Sequence, residues 1–166
     1  MVKIKYLVVA LLTVMVGISA TFLFFPSEEK EVKRRFALLS EHMSKDSGEN
    51  TFLMANKIKG ISALFGDNCN FAVSDYSLSG NYTREEISGI ALRGRAHFST
   101  LGLKFYDLKA SFPEKDLAQV NLTARLTGRS VYGEQVDETR ELICLLKKVE
   151  KKWLFSSFEV IEVLKR

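Results

Sequence analysis

The side chains best suited to acid–base chemistry in this 166-residue chain are Asp75 and His97. Asp75 shares the parity of Phe71 and Val73 in a strand-like stretch, so it points to the same side as those apolar residues. Burial would raise the pKa of such a carboxyl toward neutrality, which suits proton transfer next to a carbonyl. His97 follows a helical stretch and carries an imidazole, a common general acid or base in enzymes. A turn or capping aspartate and a half-exposed imidazole are the simpler alternatives, and the sequence favours them.

Three cations near His97, namely Arg93, Arg95 and Lys104, would bind an anionic ligand if the fold brought them together. Separately solvated charges are the better interpretation. The sequence indicates no metal site, because the two histidines are far apart and no CxxC pair is present. We expect no cofactor.

The two cysteines, Cys69 and Cys144, form a disulfide in one interpretation and are buried free thiols in the other. An oxidising compartment would permit the bridge. It also requires Cα atoms about 4.4–6.8 Å apart, which a sequence cannot show. Both alternatives stay open at this stage.

Charge argues against a nucleic-acid partner. Residues 27–166 hold 22 of the 24 Lys and Arg residues and all 20 Asp and Glu residues, a net charge of +2. A nucleic-acid binder would show a basic face. The densest basic cluster runs from Lys147 to Lys152 between two apolar stretches, where it predicts a solvated hairpin turn.

The N-terminal segment predicts a membrane anchor. Residues 6–25 contain no charged side chain, and twenty helical residues extend about 30 Å, the thickness of the hydrocarbon core. We therefore expect residues 4–25 to lie in a membrane, with 1–26 as the anchor and 27–166 as one folded domain. Cleavage as a signal peptide after residues 17–19 is the alternative.

The charges on either side of this segment predict its orientation. Lys3 and Lys5 precede it and an acidic stretch follows, so the N-terminus should be cytoplasmic and the domain periplasmic or extracellular.

The first part of the domain predicts helices. Ser27 precedes an amphipathic helix with an apolar stripe at Val32, Phe36, Leu39 and Met43. The same spacing recurs from Met54 to Phe65, and Gly66 should end this second helix. A capping box at Thr83–Glu86 begins a third, short helix. Between the second and third helices, residues 70–78 predict a strand.

The rest predicts four long strands, of which residues 117–126 alternate most clearly between polar and apolar. Alternation also places Tyr106 and Leu108 on one face of the first of these strands, and Phe155 and Phe158 on opposite faces of the last. Residues 142–146 are apolar on both faces, so both sides of the sheet must be covered. The helices can cover only one side. We expect a second copy of the chain, or a partner protein, on the other.

This order of elements resembles the NTF2-like fold, an α+β cone in which two to three N-terminal helices pack on a curved antiparallel sheet. The stretches that carry the resemblance are the capped segment at residues 83–87, the alternation at 117–126 and the Lys-Lys-Trp-Leu-Phe segment at 151–155. The fold expected here is therefore an NTF2-like cone preceded by one transmembrane helix.

The resemblance implies two classes of function. One is a non-catalytic, membrane-anchored binding or assembly module, which we favour. Such a module would take a small hydrophobic ligand or serve as a subunit of an envelope complex. The other is an anchored lyase or isomerase with Asp75 or His97 as its acid or base. Six side chains are the candidates for lining an internal pocket in either case: Phe36, Met43, Phe65, Tyr106, Phe112 and Trp153.

Overall fold

The computed structural model of the chain describes residues 27–73 and 79–161. The chain divides into two units, Met1–Glu31 and Val32–Arg166. Of the first unit the description covers only residues 27–31, where Ser27 accepts a hydrogen bond from the Lys30 N–H through its side chain at 3.3 Å. The fold described below is that of the second unit.

The secondary structure consists of three helices and six strands within these described ranges. The helices are α1 (Glu28–Met43), α2 (Thr51–Ser62) and α3 (Arg84–His97). The strands are β1 (Phe65–Ala72), β2 (Gly80–Thr83), β3 (Phe98–Glu114), β4 (Leu117–Ser130), β5 (Gln135–Val149) and β6 (Lys152–Ile161).

None of the three helices combines the length and hydropathy needed to cross a bilayer. That search covered the described residues alone. The span predicted at residues 6–25 lies outside them, as does Asp75, so both stay predictions.

All six strands join one sheet in the order β2-β1-β6-β5-β4-β3. The expected antiparallel pairing is correct for four of the five neighbouring pairs, but β1 and β6 run parallel. Parallel neighbours need a long connection between them, and the chain from β2 to β5 provides it.

One face of the sheet carries the core. Register places Val120 opposite Cys144 and Ala118 opposite Leu146, and all four side chains are fully buried. Phe36 of α1 packs on this face through Phe155 at 5.0 Å between ring centroids. The predicted alternation in β4 is therefore confirmed.

The other face is polar along β3 and β4 but apolar at the centre of β5. Ile143 and Leu145 alternate with the buried residues of β5 and are only half-buried. The prediction of a strand apolar on both faces matches this pattern.

The end of the second helix differs from the prediction. Helix α2 ends at Ser62, and Phe65, expected on its apolar stripe, is instead the first residue of β1. There it pairs with Phe155 of β6, and the two rings pack at 5.4 Å. Strand β1 accordingly begins five residues before the stretch that was predicted for it.

Two bulges shift the predicted faces of the long strands. The pairing of β3 with β4 slips between Tyr106 and Lys109, where Asp107 adopts a left-handed φ of 55°. Tyr106 is therefore on the opposite face from Leu108, not on the same face as expected. A second slip in β6 brings Phe155 and Phe158 to one face, although simple alternation had separated them.

Helix α3 begins as predicted at its capping box. The Thr83 hydroxyl accepts from the Glu86 N–H at 3.3 Å, and the Glu86 carboxylate accepts from the Thr83 N–H at 2.8 Å. These bonds favour the ionised carboxyl and lower the pKa of Glu86.

Arg95, expected to be a solvated charge, is fully buried at the end of α3. Its Nη1 donates to the backbone oxygens of His42, Met43 and Ser44 at 2.6, 2.6 and 2.8 Å. Carbonyls at a helix C-terminus have no intrahelical partner, and a cation there complements the helix dipole. Nη2 donates to a carboxylate oxygen of Glu49. The guanidinium therefore caps α1 and binds the loop that follows.

Two lysines complete this polar cluster. Lys57 of α2 donates to the Ser44 backbone oxygen and to Glu49, both at 2.8 Å. Lys45 donates to the backbone oxygens of Arg95 and Phe98 at 3.0 and 2.6 Å. The cluster of Lys45, Glu49, Lys57 and Arg95, called the polar hub below, thus joins all three helices to the start of β3.

Glu49 is the single carboxylate of the polar hub, and its side chain is 1% exposed. Burial alone would raise its pKa. The hydrogen bonds and positive charges of Lys57 and Arg95 outweigh that effect, so the pKa of Glu49 lies below its ordinary value of 4.5.

We predict that Glu49 makes stability depend on pH. Because its pKa is lower in the folded state than in the unfolded state, its contribution is complete above about pH 5 and is lost as pH falls through the folded value. Glu49→Gln should lower the free energy of unfolding at pH 7 by about 1.5–3 kcal/mol. The difference from the unmodified protein should shrink at acid pH, as measured by urea denaturation across pH 3–7.

The matched control is Glu41→Gln, which changes an exposed carboxylate of α1. It should leave both the stability and its pH profile close to those of the unmodified protein. Equal effects of the two substitutions would contradict the role assigned to Glu49.

Candidate functional site

A pocket of about 410 Å³ opens between helix α1 and the edge strand β3. Helix α1 contributes four residues at helical spacing, so that they share one face. Strand β3 contributes three consecutive residues and one beyond the bulge. The lining residues are Lys33, Phe36, Ala37, Ser40, Lys104, Phe105, Tyr106 and Leu108.

The bulge at Asp107 brings Leu108 to the face of Phe105. In a regular strand, residues three apart point to opposite faces. The slip in register between Tyr106 and Lys109 puts Phe105 and Leu108 on the same face, and both line the pocket. Bulges commonly redirect side chains in this way next to binding sites.

The base of the pocket is aromatic. Phe36 is 1% exposed and packs edge-to-face on Phe105 at 5.3 Å and on Phe155 at 5.0 Å. Phe155 in turn contacts Phe65 and Phe158 at 5.4 and 5.0 Å. Ring clusters of this kind are rigid and bury much apolar area, so the base of the pocket is fixed by the core.

The polar groups of the pocket are two ammonium groups and two hydroxyls. Lys33 and Lys104 are both exposed, one on the helix and one on the strand. The Ser40 hydroxyl donates to the Leu103 backbone oxygen, which leaves its own oxygen able to accept. The eight lining residues include no carboxyl, imidazole or thiol group.

The strand edge beside the pocket is closed by the end of α1. The Leu101 and Lys45 backbones exchange hydrogen bonds at 2.7 and 2.9 Å. The Leu103 N–H donates to the Ser44 hydroxyl at 3.4 Å, and its oxygen accepts from Ser40. Helix α1 is thus fixed along the first part of β3, and the pocket begins where these bonds end.

Two of the six predicted pocket residues, Phe36 and Tyr106, line this pocket. The other four have different positions. Phe65 and Trp153 are buried in the core, and Met43 is partly buried against it. Phe112 is 42% exposed and lies 5.8 Å from the Trp153 ring.

Of the two candidate acid–base groups, only His97 lies within the described residues, and it does not line this pocket. His97 is exposed at the end of α3, with its ring 5.8 Å from that of Tyr132. Asp107 lines a different pocket of about 290 Å³, together with Lys109 and Glu141. Asp75 is outside the described residues.

The three cations that would form an anion site if brought together lie apart. Arg95 belongs to the polar hub, Arg93 is exposed on α3, and Lys104 lies at the pocket. Lys33 is the second cation at the pocket and was not predicted. Its spacing of three residues from Phe36 is the signal that could have placed it on the same helix face.

Both cysteines are free and buried in the structure. Cys69 lies in β1 and Cys144 in β5, with β6 between them. Two strand spacings amount to about 9.6 Å, beyond the reach of a disulfide without movement of the backbone. Burial raises the pKa of Cys69 to about 12 and raises that of Cys144 well above its ordinary value, so neither thiol is a ready nucleophile.

No group of three or more His, Cys, Asp or Glu residues in the described ranges could hold a metal ion. The side chains that the pocket offers to a ligand are its ammonium, hydroxyl and aromatic groups.

No family model matches the sequence, and no curated protein is similar to it. Solved structures do share its fold. A candidate scytalone dehydratase from Novosphingobium aromaticivorans is 18% identical, with a TM-score of 0.63, over 82% of this chain and 85% of that one. A candidate dehydratase of the NTF2-like family from Streptomyces avermitilis is 14% identical, with a TM-score of 0.63, over 84% and 99%.

A third similar structure belongs to a different functional class. It is a candidate calcium/calmodulin-dependent protein kinase II association domain from Xanthomonas campestris, 12% identical, with a TM-score of 0.59, over 85% of this chain and 91% of that one. The expected NTF2-like fold is therefore confirmed. The likeness carries the fold alone, since the same architecture serves enzymes and association domains.

Proposed function

We propose that this domain is a non-catalytic binding module that takes a small apolar molecule with an anionic end into the pocket between α1 and β3. The observation that carries the proposal is the composition of the pocket. An aromatic base faces two ammonium groups, Lys33 and Lys104, and the eight lining residues include no carboxyl, imidazole or thiol.

The size of the pocket suits this ligand class. Small-molecule sites typically measure about 300–1,000 Å³, and the pocket measures about 410 Å³. An alkyl chain over Phe36, Phe105 and Leu108 would gain roughly 0.8 kcal/mol for each methylene it buries. The two ammonium groups then favour a carboxylate or sulfonate end over a neutral one.

The proposal of a binding role also follows from what a lyase or isomerase would need. Proton transfer requires a positioned acid or base within about 3 Å of the reacting atom. His97 lies beside Tyr132 rather than at the pocket. The similar dehydratase structures keep the enzyme as the alternative, in which Asp75 would have to supply the base.

We further propose that residues 4–25 anchor the chain in a membrane with the domain on the outer side, as a subunit of a larger assembly. The support is the uncharged run at 6–25 and the lysines before it. The half-buried Ile143 and Leu145 support a second copy or a partner protein on that face of the sheet.

The first prediction concerns the charge of the ligand. A fragment of residues 27–166, checked for folding by circular dichroism, should bind decanoate more tightly than decan-1-ol in isothermal titration calorimetry. Lys104→Gln should weaken decanoate binding about threefold to fivefold, the effect of one partly exposed ion pair, and leave decanol binding unchanged.

Lys109→Gln is the matched control, because Lys109 is exposed on the same strand but does not line the pocket. It should leave the affinity for decanoate unchanged. Equal binding of the acid and the alcohol, or equal effects of the two substitutions, would remove the anion site from the proposal.

The second prediction concerns the anchor. The full chain should remain with the membrane fraction after an alkaline carbonate wash, whereas a chain without residues 1–26 should be soluble. Protease added to the outer side of intact cells or spheroplasts should digest the domain. Recovery of the intact full-length chain from the cytosol would contradict both the anchor and the location.

A further inference from the structure

Two hairpin turns form one end of the sheet. Lys115 and Asp116 join β3 to β4, and residues 150–151 join β5 to β6. The turns are neighbours, since the Lys148 N–H donates to the Asp116 backbone oxygen at 2.8 Å. Residues 112–116 and 147–152 together are called the tip surface below.

The tip surface combines exposed lysines with exposed apolar side chains. Phe112 is 42% exposed and Val149 is 50% exposed. Five lysines and three carboxylates give it a net charge of +2. The lysines are Lys115, Lys147, Lys148, Lys151 and Lys152, of which Lys148 is half-buried and the others are exposed. The carboxylates are Glu114, Asp116 and Glu150.

The turn between β5 and β6 has two charged residues at positions where the backbone geometry favours Asn and Gly. Glu150 and Lys151 both have left-handed φ angles, 47° and 66°. A two-residue hairpin turn with this geometry normally has Asn-Gly or a similar pair, because a Cβ disfavours the conformation. Charged side chains are thus held at the outermost point of the sheet although another pair would fit the backbone better. Such positions are candidates for a role in binding.

Helix α1 and strand β3 run in opposite directions, so the C-terminal-to-N-terminal direction of α1 points toward the tip surface. Along α1, Lys45 pairs with Leu101, Ser40 bonds to Leu103 and Phe36 packs on Phe105. The helix and the strand are therefore antiparallel. Going back along α1 toward its N-terminal end means going forward along β3, toward the turn at residues 115–116.

Chain length limits how far this end can be from the predicted span. Position 25, where the span ends, is eight residues before Lys33, which lines the pocket with Leu108. Residues 28–33 are helical and extend about 7.5 Å, and the three residues before them reach at most about 11 Å, so the whole stretch spans at most about 18 Å. The strand from Leu108 to Lys115 extends about 23 Å in the same direction. The strand is therefore long enough to bring the tip surface to a bilayer in which residues 4–25 are embedded.

We propose that the tip surface docks on an anionic lipid surface, with its lysines at the headgroups and with Phe112 and Val149 at the interface. This inference rests on the anchor proposed above. A net charge of +2 would bind a free protein to lipid only weakly. An anchored domain meets the membrane at millimolar effective concentration, so a weak contact is enough to orient it. Docking would fix the orientation of the pocket relative to the bilayer.

The test uses the full chain in vesicles, with a fluorescent label that responds to polarity. Val149→Cys places the label on the tip surface, and the two native cysteines are buried and will not compete. Val131→Cys is the matched control, because Val131 is 55% exposed at the opposite end of the sheet. Vesicles of phosphatidylcholine alone are compared with vesicles containing 30% phosphatidylglycerol.

Docking predicts a blue shift of the label at position 149 in the anionic vesicles and a smaller shift or none in the neutral ones. Salt at 1 M, where the Debye length is about 3 Å, should remove the shift. Replacing Lys147, Lys151 and Lys152 together by glutamine should abolish it. The label at position 131 should not change. The same spectrum at position 149 in both kinds of vesicle, or equal shifts at 149 and 131, would overturn the proposal.

A chain that is not anchored and an anchored chain that does not dock give different results in flotation. A chain without an anchor would not float with neutral vesicles, whatever the label reports. An anchored chain that does not dock would float with both kinds of vesicle and show no shift at position 149. Flotation and fluorescence therefore separate the two proposals.

Discussion

The buried guanidinium of Arg95 is the interaction on which the arrangement of this fold depends. A buried charge is tolerated only when its hydrogen bonds are met, because desolvation costs several kcal/mol. Arg95 meets that condition at its two terminal nitrogens, with the backbone oxygens of residues 42–44 at the end of α1 and with Glu49, while its Nε has no partner among the described residues. These groups must therefore converge at one place. Convergence fixes the end of α1 against the start of β3, and the pocket between that helix and that strand follows from it.

The parts of the fold that the sequence predicts are those determined locally. The capping box at Thr83–Glu86 and the alternation of β4 need no distant partner, and both are confirmed. The predicted end of α2 was wrong because the true end depends on a distant partner. Phe65 continues a helical stripe, but its conformation is set by parallel pairing with Phe155, ninety residues later. No pattern within a short window contains that partner.

The site was predictable in part. Phe36 follows from the stripe of α1, whereas Leu108 was expected on the face of Tyr106 and shares the face of Phe105 only because of the bulge at Asp107. A bulge is a property of two paired strands, so one strand does not reveal it. Arg95 is different, because its burial had a local signal. It follows Ile87 and Ala91 at spacings of four residues, and all three are buried on one helix face.

The pocket is best understood as the uncovered part of a sheet edge. Among the described strands, β3 has β4 as its one neighbour in the sheet, and an open edge invites another strand to add. The backbone of Lys45 and the hydroxyls of Ser40 and Ser44 cover the first part of that edge. Beyond Leu103 these bonds end, and a bulge and lysine side chains take their place, which are two common defences against strand addition. Lys104 therefore has a structural reason to be at the edge, and the same charge underlies the anion preference proposed for the pocket.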